Sequence, residues 1–182
     1  MKHGLVLIAS AMLACGCPLR AQNRTPAVGI ETRAENPLSG EIKQSYQTVK
    51  NNIMKSAEEM PEENYSFKPT PDIRSFGQVL GHVAESQMRT CSAIMGEQKS
   101  MAAASKASKA ELVTALHDAF AQCDKVYETA TDADAANMIK TPHGQRTKLG
   151  ALVANTTHDT EQYGILAVYL RLKGLVPPSS KR

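Results

Sequence analysis

Ile42, Tyr46, Val49, Ile53 and Met54 recur at three- and four-residue steps, the period that puts side chains on one face of an α-helix. The spacing predicts a first helix over about Ser39–Met60. Prolines at 61, 69 and 71 then stiffen a loop. A second apolar stripe, Phe76, Val79, Leu80 and Val83, follows Ser75, and Gln78 three residues on completes a capping-box pattern. His82 and Ser86 border this stripe, and the helix fades near Met95–Gly96. "EQKSMAAASKAS" reads as a connector. Ser108 and Glu111 repeat the capping pattern and open a third helix, with Leu112, Leu116, Ala119, Phe120, Cys123 and Tyr127 as its buried stripe and His117 facing outward. That helix exits into "TATDADAANM", and "KTPHGQRTKLG" reads as a turn carrying His143. A fourth helix spans about Lys148–Lys173, with Leu152, Asn155, His158, Gln162, Ile165, Leu166 and Tyr169 on or beside one face. Gly174 stops it, Pro177 and Pro178 forbid its resumption, and Arg171 and Lys173 suit the negative helix end. Four helices of about 20–26 residues with no convincing strand predict an all-α helical bundle.

The chain's 182 residues suffice for one ordinary domain. With no Trp and 4% aromatics, the core must be aliphatic, which suits helices. The opening residues do not belong to this pattern. Lys2 precedes the apolar run "GLVLIASAMLA", and Leu19 and Ala21 stand at −3 and −1 of a cut, so the start reads as a secretory signal peptide cleaved after Ala21. The second choice is a lipoprotein signal at Cys15 or Cys17, whose preceding residues fit poorly. The expected product is periplasmic or secreted, with no membrane segment once the leader is gone. Residues 22–36 are polar and aperiodic. The expected organisation is therefore a leader over 1–21, a flexible segment over 22–37 and the bundle over 38–180.

Losing Lys2 and Arg20 leaves 19 basic residues against 18 acidic ones, so the net charge of +3 falls to +1. There is no basic stripe with interleaved aromatics, and no nucleic-acid partner is expected. There is no glycine-rich phosphate loop, so no nucleotide cofactor is expected, and no serine-nucleophile elbow is found. Cys91 and Cys123 are the cysteines beyond the leader, 32 apart; they read either as small core residues or as a pair in an oxidising compartment.

Among helical histidines, His82 and His158 stand at the margins of apolar stripes, so both can point into the bundle. A buried imidazole without a partner costs roughly 1–3 kcal/mol, so each calls for a hydrogen bond or a metal. Two converging imidazoles and one more donor make an open site that zinc, nickel or iron accepts. Gln162 lies one turn after His158, with a neutral and weak amide oxygen. Glu85 and Glu161 stand at i+3 from the two histidines, in "HVAE" and "HDTE", as ligands or as partners for an imidazole N–H, and Asp159 is a further candidate. The bland alternative is two ordinary helical histidines among common glutamates.

"FGQVLGHVAESQ", followed about 75 residues later by "HDTEQYGILAVYLRLKGLVPPSS", resembles the DinB-like superfamily over about 38–180. The resemblance implies a four-helix bundle with up-down-down-up connections. It implies a divalent metal held by three histidines, one from the second helix, where His82 stands, and two spaced four apart on the last. His158 matches the first of that pair and Gln162 occupies the place of the second, a change that weakens the metal site. The catalytic residues stay unassigned, with Glu85 or Glu161 as candidate proton carriers. Characterised relatives include transferases and isomerases that use low-molecular-weight thiols such as bacillithiol or mycothiol, so a small-molecule or thiol substrate is implied. The up-down-down-up order also makes the second and third helices parallel. Cys91, 16 residues beyond Ser75, and Cys123, 15 beyond Ser108, then lie within about 1.5 Å in height, which permits a disulfide. Three readings stay open: a metal-dependent transferase or hydrolase, a metal-free binding or stress-associated module, and a protein whose bundle face makes a homodimer.

Overall fold

The computed structural model describes residues 35–106, 108–141 and 144–181. The expected leader, its cut after Ala21, the segment up to residue 34 and His143 lie outside the described residues. The four expected helices are α1 (Pro37–Glu59), α2 (Phe76–Ile94), α3 (Lys109–Glu128) and α4 (Lys148–Leu172), each ending within two residues of the position its pattern indicates. The capping box of α2 is complete: Ser75 Oγ accepts from the Gln78 N–H at 3.2 Å, and Gln78 Oε1 accepts from the Ser75 N–H at 2.9 Å. At α3, Ser108 Oγ accepts from the Glu111 N–H at 3.3 Å and donates to the Glu111 carboxylate at 2.7 Å. Helix α1 has no side-chain cap of its own. Its first N–H groups, on Leu38 and Ser39, donate to the Asp132 carboxylate at 3.0 and 2.7 Å. At its other end Lys109 Nζ donates to the carbonyls of Glu58 and Met60 at 2.6 and 2.8 Å. The flanks of α3 thus satisfy both ends of α1.

These cross-links fix the directions. Helices α2 and α3 run parallel: Gly77 approaches Leu112 near both starts, and Cys91 and Cys123 meet toward the ends. Helix α4 starts where α3 finishes, with the Tyr127 hydroxyl donating to the Leu152 carbonyl at 2.9 Å. The order is up-down-down-up. The core is aliphatic apart from a few rings, with Tyr46 stacked on Tyr127 at 3.8 Å between centroids. The Tyr46 hydroxyl donates to Asp124, which also pairs with Lys50. Among the described residues no helix is long and apolar enough to cross a membrane.

One expectation is corrected. The stretch read as a simple turn before the fourth helix is a hairpin, β1 (Met138–Thr141) against β2 (Gly144–Thr147), antiparallel from Met138↔Thr147 to Thr141↔Gly144. Four-residue strands with an exposed "GQRT" carry no alternation of apolar and polar positions. Tertiary packing stabilises the hairpin, since β1 lies against α2 and both strands contact α4. The alanine-rich connector adds only a turn. It crosses α2 at Gly81, where a Cβ would meet Ala104 Cα at 2.7 Å and the Ala103 carbonyl at 2.8 Å, and Ala103 is fully buried. Cys91 and Cys123 form a disulfide, with Cα atoms 5.0 Å apart and no solvent exposure.

Candidate metal centre

Helices α2 and α4 carry the expected histidines to one point. His82 Nε2 and His158 Nε2 stand 3.0 Å apart, the rings at 65° to each other and both half-buried. Gln162 sits one turn further along α4, buried, and its Oε1 has no hydrogen-bond partner. Burial holds the His82 pKa below the ordinary imidazole range, with the charges of Arg74, His158 and Arg89 adding to the effect and Glu85 opposing it. The neutral ring, with a nitrogen lone pair to offer, is therefore the form favoured at neutral pH.

Behind His158 lies a buried polar network in which Asp159, a candidate from the sequence, is joined by Gln87 and Asn155. Gln87 Nε2 donates to both Asp159 carboxylate oxygens, at 2.6 and 2.7 Å. Asn155 Nδ2 donates to Gln87 Oε1 at 3.1 Å and to the Tyr127 hydroxyl at 3.2 Å, and it lies 4.0 Å from Cys91 Sγ. Asp159 is fully buried; burial raises its pKa, while His158 and Gln87 act in the opposite direction. Asp159 Oδ1 stands 3.5 Å from His158 Nδ1, too long for a good hydrogen bond, and that nitrogen is otherwise orphaned. The contact still favours the tautomer with the proton on Nδ1, which leaves the Nε2 lone pair facing His82. The signal in the sequence was the i,i+4 placement of Asn155 and Asp159, which puts both on one face of α4.

The glutamates are placed otherwise. Glu85 Oε1 accepts from the Ala104 N–H at 2.8 Å and so fastens the connector to α2. Glu161 and His117 are exposed. Among the described residues there is no cluster of three or more His, Cys, Asp or Glu able to hold a metal. The donor set here is instead two imidazoles and an amide. In chemistry it fits a divalent ion: two ring nitrogens that share one hydrogen bond and can both become ligands once that proton leaves, an orphaned buried amide oxygen, and a carboxylate behind one ring.

Comparison with known proteins identifies the fold and the family. No curated protein matches the chain at a significant level. Among solved structures, a DinB-like protein from Bacillus cereus ATCC 10987 superimposes with a TM-score of 0.63 at 16% identity, covering 75% of this chain and 93% of that one. A conserved protein from Enterococcus faecalis gives 0.60 at 14% identity, covering 72% and 94%. At these identities the likeness concerns the fold. The family model described as DinB superfamily matches residues 45–166, and the chain belongs to the DinB superfamily.

Proposed function

We propose that this DinB protein is an exported, divalent-metal-dependent transferase or hydrolase acting on a small molecule, with a thiol as the first candidate nucleophile. His82, His158 and Gln162 would hold the metal. The observation that carries the reading is the approach of the two Nε2 atoms to 3.0 Å, with the Gln162 amide oxygen orphaned one turn away. When bound, a zinc-, nickel- or iron-class ion lowers the pKa of a coordinated water or thiol. The protein's own contribution is positional. Asp159 sets a negative charge 3.5 Å behind the His158 ring, and Gln87, itself bonded to Asn155, holds that carboxylate in place. Glu85 is committed to the connector, which argues against a proton-carrying role for it. The buried disulfide supports the export reading, because such bonds persist in oxidising compartments.

Elemental analysis of the chain purified without an affinity tag tests the reading, alongside His158→Ala and Gln162→His. About one metal per chain, lost in His158→Ala and held more tightly in Gln162→His, is the expected result. Absence of metal from the native chain under saturating zinc, nickel and iron(II) would refute it. In that case the imidazole pair is a hydrogen bond inside a binding module.

A further inference from the structure

A cavity of about 90 Å³ opens beside His158, between α2, α4 and the hairpin. Its α2 wall carries Ser86 and Thr90, which continue from His82 at successive four-residue steps and so rise along one side of the helix. Among the described residues neither hydroxyl has a hydrogen-bond partner. Its α4 wall is formed by Ala151 and Ala154, whose short side chains leave the space open, with Asn155 and His158. Arg146, exposed on β2, reaches it from the hairpin, and among the described residues no carboxylate lines it. Thr141 lines both this cavity and a larger groove of about 670 Å³, where among the described residues Arg89, Lys99 and Lys140 stand against one acid, Glu97. Glu97 is itself paired with Lys99 at 2.8 Å.

We propose that this cavity is a carboxylate subsite: Arg146 and the hydroxyls of Ser86 and Thr90 hold the carboxylate of a substrate whose reacting atom faces the imidazole pair. The assignment rests on the reading of that pair as the reacting end. Its own support is the cavity lining. A guanidinium presents planar paired donors that match a carboxylate. Two unpartnered hydroxyls add donors, and the cavity has room for a carboxylate head. The hairpin, which adds little to the core, then has a use: it brings a cation to the rim of a site made by two helices.

Metal-free samples keep the two readings apart. Nitrogen-15 correlation spectra of the whole chain, stripped with EDTA, are recorded while titrating propionate, its uncharged isostere propionamide, or inorganic phosphate. Propionate is expected to shift the amides of Ser86, Thr90 and Ala154 saturably, and propionamide to leave them in place. Arg146→Gln is expected to weaken propionate at least tenfold, and Ala154→Leu, which fills the cavity, to abolish the shifts while leaving the rest of the spectrum intact. Shifts that fail to saturate, equal binding of propionamide, unchanged affinity in Arg146→Gln, or tighter binding of phosphate at these amides would each overturn the assignment. Metal content of the native chain decides the other reading separately.

Discussion

Replacing both disulfide cysteines by alanine measures how much of this bundle's stability comes from joining α2 to α3 covalently. The bond closes a loop with a sequence separation of 32. Loop-closure entropy for that length removes about 3.7 kcal/mol of unfolded-state freedom at 25 °C. Neither cysteine is exposed, and the neighbouring Gln87, Asn155 and Asp159 are held by their own hydrogen bonds, so the native geometry is expected to survive the change. Cys91→Ala/Cys123→Ala should therefore lower the unfolding free energy by about 3–4 kcal/mol, or the melting temperature by roughly 7–15 °C for a chain of this size. Urea unfolding followed by far-UV circular dichroism reads the first and calorimetry the second. The denaturant slope should rise modestly, because the uncross-linked chain unfolds further. A loss below about 1 kcal/mol would refute the reasoning. So would two free thiols titrated on the unfolded, unreduced native chain.

Two other perturbations probe contacts elsewhere in the bundle. Gly81→Ala forces a Cβ against the backbone of Ala103 and Ala104, which cannot rotate away, and should cost about 1–3 kcal/mol by urea unfolding, with faster hydrogen exchange at the Ala104 amide. Asp134 loses solvation on folding, which raises its pKa, but its ion pair with Lys148 and the Thr131 N–H outweigh this and hold the carboxyl below its ordinary value. Its contribution is therefore present above the unfolded value of about 4 and lost as pH falls through the lower folded value. The stability gap between the native chain and Lys148→Met should be steady from pH 5 to 7 and close under acid; a gap that widens below pH 4 would contradict the assignment.

The helices were legible because each carries a long 3.6-residue period with a polar start, and Ser75 with Gln78 marks the start of α2 to the residue. The paired histidines, His82 and His158, were legible in the same way, as polar breaks at the edge of apolar stripes. The carboxylates were legible only as three candidates, with nothing to mark Asp159 as the one that turns inward. His158 itself lies at the margin of its stripe, so the position one residue on, Asp159, turns inward, while Glu161, three on, turns outward to solvent. Gln87 was invisible as a partner because Asp159 lies 72 residues away. The hairpin escaped because four-residue exposed strands leave no periodic trace and depend on the helices beneath them. Glu85 had the right spacing from His82, but a backbone N–H from a distant connector takes its carboxylate.

The borrowed caps of α1 bear on the order in which the molecule assembles. This helix is made before the other three, yet its opening N–H groups wait for Asp132, 94 residues later, and its closing carbonyls wait for Lys109. Until α3 is in place both termini stay hydrated and fray, so an α1 segment alone has little reason to hold its shape. The largest sequence separations in this small bundle therefore fall on its first element, and docking α1 becomes the late, loop-closing step of folding. A chain organised in this way keeps its first helix pliable until its third exists.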